Sequence, residues 1–213
     1  MTSQNNLVRF IGDVHGYYDR YRELIRNIPE SIQVGDLGVG FRRVATGEEY
    51  SNPPHYAMVQ GKHRFIRGNH DNPGACRRHS QYIPDGTIEG DVMFVGGATS
   101  IDKAFRVEDY SWWRDEELSI EALYEITDKY LQAKPRVMVT HECPEAVAEL
   151  MLNEQNKTKW YDPSRTRQAF NAMWEMHKPE LWIFGHWHRS WDQVVLGTRF
   201  ICLAELEHKD LEI

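Results

Sequence analysis

Five short polar segments carry residue types suited to metal chemistry: Gly12-Asp13-Val14-His15-Gly16, Gly35-Asp36, Gly68-Asn69-His70-Asp71, Thr140-His141-Glu142 and Gly185-His186-Trp187-His188. Together they offer carboxylate, imidazole and amide oxygen but no thiolate. That mix suits hard or borderline divalent ions, with Mn²⁺ first and Fe, Zn²⁺, Ni²⁺ or Mg²⁺ as alternatives. A single DxH triplet or HxH pair arises by chance, and a lone His after a strand is more often a cap or a surface residue. Five such segments in order, each behind an apolar run, point to one site. A carboxylate can bridge two cations at the roughly 3.5–4 Å spacing of two-metal sites, and Asp36 is the candidate bridge. Such a pair would acidify a shared water into the nucleophile, so the chemistry requires no Ser or Cys.

The elements that must hold these turns are short strands. Apolar runs cover Leu7 to Ile11, Ser31 to Val34, His63 to Ile66, Val92 to Val95, Val137 to Thr140 and Leu181 to Phe184, and polar turns follow them. Tyr21, Leu24, Ile25 and Ile28 repeat with helical spacing after the first run. Ser119 is the expected N-cap of a helix presenting Ile120, Leu123, Tyr124 and Thr127 on one face. Asp162-Pro163 is expected to open a last long helix with Phe170, Met173, Trp174 and His177 inward. Asp85-Gly86 reads as a hairpin turn within 82–89, and the stretch from Trp191 to Leu206 as two strands around Gly197. Alternating strands and helices predict an α/β domain, in which ligands bind beyond the carboxyl ends of the strands. No repeat or linker divides the 213 residues, so a single domain is expected.

Composition narrows the function. A formal charge of −7 weighs against tight duplex nucleic-acid binding, which draws on many Lys and Arg contacts to phosphate. No apolar stretch reaches the roughly 18 residues of a membrane span, and the N-terminus lacks the marks of a secretory signal. Three cysteines without a CxxC pair suggest neither a disulfide framework nor a thiolate zinc site. A cytoplasmic protein is expected. The expected partner is a phosphorylated small molecule, a nucleotide or a phosphopeptide.

The order and form of the five segments resemble the calcineurin-like metallophosphoesterase superfamily, whose pattern runs DxH, GD, GNH[ED], H and GHxH. The resemblance spans Asp13 to His188. It implies a four-layer α/β/β/α sandwich and a dinuclear site. One ion would be held by Asp13, His15, Asp36 and His188, the other by Asp36, Asn69, His141 and His186. It implies too that His70 protonates the leaving oxygen as general acid, with Asp71 as its orienting partner. The protein Ser/Thr phosphatases of this superfamily carry GDxxDRG at the second block. Here the stretch is Gly35-Asp36-Leu37-Gly38-Val39-Gly40-Phe41, so that phosphate-gripping arginine is missing. Arg67, just before GNH, is the surviving candidate for this role, and Arg42 or Arg43 could partly substitute.

A later stretch, Gly96-Gly97-Ala98-Thr99-Ser100-Ile101-Asp102-Lys103 with Arg106 and Trp112-Trp113, is similar to small bacterial and phage phosphoesterases. It could bring Lys103 or Arg106 to a phosphate, and the tryptophans either to a base or into the core. The expected activity is hydrolysis of a phosphomonoester or small phosphodiester. Nucleotide pyrophosphatase, nuclease and a non-catalytic metal-binding scaffold of the same fold are the alternatives, because motif and fold do not fix substrate.

Overall fold

The computed structural model describes residues 7–51, 53–154 and 163–213. In chain order its first half holds β1 (Leu7–Ile11), α1 (Tyr18–Ile25), β2 (Glu30–Gln33), α2 (His55–Gln60), β3 (Lys62–Phe65), α3 (Pro73–Cys76), β4 (Thr87–Glu89) and β5 (Val92–Val95). The second half holds α4 (Ile120–Ala133), β6 (Val137–Thr140), α5 (Glu145–Asn153), α6 (Arg165–Met176), β7 (Leu181–Phe184), β8 (Trp191–Val195), β9 (Thr198–Cys202) and β10 (His208–Glu212). These strands make two sheets. One runs β10-β1-β2-β3, the other β4-β5-β6-β7-β9-β8. The strands that lead to the polar turns, β1, β2 and β3 in one sheet and β6 and β7 in the other, pair in parallel with their neighbours from this set. β10, β4 and β8 close the edges antiparallel.

Strands β5, β6 and β7 are buried on both faces, which explains their nearly unbroken apolar runs, whereas β2 and β3 place only Ile32 and Phe65 among mixed polar residues. Because side chains alternate across a strand, β5 sends Val92 and Phe94 to one core and Met93 and Val95 to another. The first of these cores lies between the two sheets and joins Val8, Phe10 and Ile32 to Val137, Val139 and Ile183. The second packs α4, α5 and α6 on the six-stranded sheet through Ile126, Tyr130, Val147, Met151, Phe170 and Trp174. A third packs α1 and α2 on the four-stranded sheet through Tyr21, Ile25 and Met58. The result is an α/β/β/α sandwich.

Three local expectations change. The hairpin turn is Gly90-Asp91, because Glu89 pairs with Val92. Asp85 instead accepts from the Gly96 N–H and from Arg67. Ser119 caps α4 through the Ala122 N–H as expected. The buried face of that helix, however, is Leu123, Ile126 and Tyr130, while Ile120 and Tyr124 are exposed, because the helix sits on the sheet through its i, i+3, i+7 stripe. Helix α6 starts at Arg165 with Ser164 as its cap, two residues later than expected; Asp162 lies outside the described residues. Trp112 and Trp113 are buried and take the core reading. α2, α5 and β10 are not among the elements expected from periodicity.

Candidate metal centre

Each candidate ligand sits just past a strand end. Asp13 and His15 follow β1, Asp36 follows β2, and Asn69 and His70 follow β3, so the four-stranded sheet supplies these five. The six-stranded sheet supplies His141 after β6 and His186 and His188 after β7. The turns are tied to one another: the N–H groups of Val14 and His15 both donate to the Asp36 carbonyl, at 2.9 and 2.8 Å. His15, Asp36, His186 and His188 all have left-handed backbones, with φ of 48°, 60°, 67° and 47°. Such a conformation costs non-glycine residues of order 1–3 kcal/mol each and persists where the surroundings over-determine it. The neighbouring glycines are required by close approach. A Cβ at Gly68 would collide with the Asp36 carboxylate, and one at Gly35 with the His141 ring.

The donor atoms converge in two groups, Asp13, His15, Asp36 and His188 in one and Asp36, His141 and His186 in the other, each with its atoms within 4.8 Å of one another. Asp36 belongs to both. His188 Nε2 lies 2.9 Å from Asp13 Oδ2 and 2.8 Å from His15 Nε2. His141 Nε2 lies 3.4 Å from Asp36 Oδ2 and 3.0 Å from Asn69 Oδ1. The His141 Nδ1–H donates to the Val34 carbonyl at 2.9 Å, which leaves Nε2 with its lone pair toward the centre. Asn69 is oriented in the same manner. Its amide nitrogen donates to Ser100 Oγ at 3.0 Å, Ser100 donates to Glu116, and the amide oxygen is turned inward.

Two oxygens at the heart of this arrangement, Asp13 Oδ2 and Asp36 Oδ2, are buried and have no hydrogen-bond partner. Leaving carboxylate oxygens dry and unpaired is costly, and cations remove that cost. The oxygen and nitrogen donors present fit a pair of divalent ions.

The electrostatics follow from this crowding. Burial alone would push the Asp13 carboxyl up, but the His15 and His188 imidazoles crowded against it outweigh burial and hold the group at about 2. Burial also pushes Asp36 up, and the charges of His141 and His70 bring it well below the ordinary range. For His141, burial favours the neutral ring, yet Asp36 and Asp13 lift it to about 10. A proton on that ring therefore competes with a metal for the same lone pair.

His70 lies beside the ligand groups. Its backbone N–H donates to Asp36 Oδ1 at 2.6 Å, and its ring is 5.3 Å from that of His15. Asp71 touches the backbone instead of the His70 ring: it accepts from the N–H groups of Leu37, Gly38, Val39 and Gly68 and so shapes the turn that carries Asp36. Arg67 is buried and turned into the protein, paired with Asp85 at 2.7 Å and donating to the carbonyls of Asp115 and Glu116. Lys103 Nζ sits 4.1 Å from the centre of the Trp112 ring. Arg106 is the one of these three cations that reaches the centre, with Nη2 3.4 Å from His70 Nε2.

A cleft of about 1270 Å³ opens over the site, lined by His15, Asp36, Asn69, His70, His186 and His188 together with Arg106. Glu142, named in the sequence only as part of the Thr140-His141-Glu142 segment, has partners that the sequence does not reveal. It is fully buried, 3.6 Å from His186 Nε2, 3.2 Å from Arg167 Nη1 and 2.8 Å from Trp187 Nε1. Its position next to His141 was the available signal. Arg167 and Trp187 had none, since their pairing is tertiary.

No curated protein matches the chain. Among solved structures it is similar to GAP50, the anchor in the inner membrane complex of Plasmodium, with 10% sequence identity and a TM-score of 0.46, over 93% of this chain and 71% of that one. The profile of the calcineurin-like phosphoesterase family matches residues 7–190, a span that takes in every one of the metal-type turns, and the chain belongs to that family.

Proposed function

We propose that the chain hydrolyses phosphate esters with two divalent ions, Mn²⁺ first among the candidates. Asp13, His15, Asp36 and His188 would hold one ion, and Asp36, Asn69, His141 and His186 the other. The observation that carries this reading is the double membership of Asp36, whose buried Oδ2 lacks a partner while both donor groups converge on it. Bound ions of this kind supply charge neutralisation at phosphate oxygens and acidify water to near-neutral pKa.

The chain's own residues do the rest. Asp36 is fixed as a bridge by the His70 N–H on its other oxygen. His70 is placed to give a proton to the departing alcohol. Burial pushes its ring down to about 4, with Arg106 adding to the effect and Asp36 opposing it. A phosphate anion beside the ring would favour its charged form. Arg106, rather than Arg67, is the arginine that faces the substrate's phosphate, because Arg67 is turned into the protein toward Asp85 and the carbonyls of Asp115 and Glu116.

Among the described residues no helix is long and apolar enough to cross a membrane. The three cysteines are buried and unpaired, which suits a reducing compartment, and the cytoplasm is the location we propose.

The test is hydrolysis of bis-p-nitrophenyl phosphate and p-nitrophenyl phosphate by metal-stripped protein, with Mn²⁺, Ni²⁺, Zn²⁺ and Mg²⁺ returned singly. Metal-dependent turnover that is absent in Asp36→Asn supports the reading. Stoichiometric metal binding without turnover on either ester would turn the assignment to a non-catalytic scaffold.

A further inference from the structure

The cleft holds more than a phosphate needs, and its charges are already committed. Among the described residues, three arginines and no lysine line it. Arg106 is bound to Asp102 by Nη2 at 2.6 Å and Nε at 2.8 Å. Arg167 is bound to Glu142 and Glu145 at 3.2 and 2.9 Å. Arg189 is bound to Glu154 at 2.7 Å and to the Met151 carbonyl. Asp102 also keeps one buried oxygen without a hydrogen-bond partner. Outside the ion-binding residues, the protein therefore brings the substrate no uncompensated positive charge from these groups.

Among the other lining groups, apolar side chains stand at both ends of the ligand groups. At the His70 end stand Ile101 and Phe41, the latter with its ring 6.0 Å from the Arg106 guanidinium. At the His186 end stand Leu152 and Trp187, the latter with its ring 6.0 Å from that of His186. A phosphomonoester carries close to two charges at pH 7, because its second pKa is about 6. A diester carries one charge and a second organic group.

Resting on the phosphoesterase reading above, we propose that the substrate is a phosphodiester with an organic group in each arm of this cleft. The leaving alcohol lies along Phe41 and Ile101 beside His70, and the retained group along Leu152 and Trp187. In the reaction the P–O bond to the leaving alcohol breaks and a P–O bond to the water oxygen forms. The alcohol oxygen takes a proton from His70, the attacking water gives its proton to solvent, and His70 regains one from solvent, so no redox partner is needed. The product monoester gains a charge that the paired arginines do not compensate, which favours its release.

The experiment compares kcat/KM for bis-p-nitrophenyl phosphate and p-nitrophenyl phosphate in Mn²⁺-loaded wild type, Asp102→Asn and Leu152→Glu, with metal content and circular dichroism checked for each. The wild type should prefer the diester. Asp102→Asn frees the Arg106 charge and should move the ratio toward the monoester by about tenfold, a partly screened charge at close range. Leu152→Glu should raise KM for the diester alone, since the monoester has no retained group. Wild-type preference for the monoester, or a ratio indifferent to both substitutions, overturns the two-armed assignment while leaving the phosphoesterase standing. Hydrolysis of neither ester with any ion overturns both readings.

Discussion

His141 and Val34 are joined across the two sheets: the His141 Nδ1–H, beyond β6, donates to the Val34 carbonyl, beyond β2, at 2.9 Å. The bond fixes the tautomer and seats the ring where its side chain is fully buried, whereas the His188 side chain is 49% exposed. The two donor groups should therefore release their ions unequally. Titration with a chelator, followed by atomic emission, is expected to remove the ion of the His15 and His188 group first and that of the His141 group later. His188→Ala should keep one ion. A single-step loss of both would contradict this order.

Asp36→Asn should bind neither ion firmly and show no turnover while staying folded. The asparagine oxygen can still accept the His70 N–H in place of Asp36 Oδ1, so the turn survives. Its amide nitrogen takes the position of Oδ2 and offers no lone pair to a cation. Differential scanning fluorimetry should show a rise in Tm with Mn²⁺ for the wild type and none for the variant. A variant that retains two ions and activity would refute the bridging role.

Arg67 can be tested for a role in phosphate binding against a role in stability. Its guanidinium is 2% exposed and holds Asp85 together with two carbonyls. Removing one partner of a buried pair typically costs about 3–5 kcal/mol, because the other charge is left alone. Arg67→Met should lower the denaturant midpoint strongly, and the folded fraction should keep the wild-type KM. A large rise in KM with unchanged stability would restore the phosphate role.

Most of the site was legible because its residues sit in local turns with recognisable composition. His141 and His186 each follow a strand whose burial produces a plain apolar run, while Asp13, Asp36 and Asn69 follow more mixed strands and are each marked by the glycine just before them. What stayed hidden was tertiary. Arg67 precedes Asn69 by only two residues, yet Asp85 from a distant turn pulls it inward. Asp71 follows His70, yet four backbone N–H groups claim its carboxylate. Leu123 and Tyr124 are adjacent in a helical pattern, and only the sheet beneath α4 decides which is buried. Strand β10, with residues alternating half-buried and exposed, has too little apolar content to announce itself and is recruited by its pairing with β1.

Glu142→Gln should weaken the ion held with His186 more than the other. The carboxylate lies beside the His186 ring and is itself held by Arg167, Trp187 and the Cys143 N–H. Changing the acceptor that orients a ligand imidazole typically costs about 10–100-fold in metal affinity. Arg167 retains Glu145, so the fold should survive. The expected result is an activity curve shifted to higher Mn²⁺ that reaches the wild-type plateau. A lower plateau at saturating metal would give Glu142 a part in the chemistry itself.

His70→Ala separates proton donation from metal binding. The residue holds Asp36 through its backbone N–H, which alanine keeps, so both ions should remain by atomic emission. Only the ring is lost. An ester with a poor leaving group, such as a methyl or ribosyl alcohol, needs a proton on the departing oxygen, whereas p-nitrophenolate leaves with little help. The variant should therefore lose about 10²–10⁴-fold on alkyl esters, the usual range for general acid catalysis, and much less on p-nitrophenyl esters. Equal losses on the two classes would mean that His70 acts by orienting the phosphate, with the proton coming from solvent.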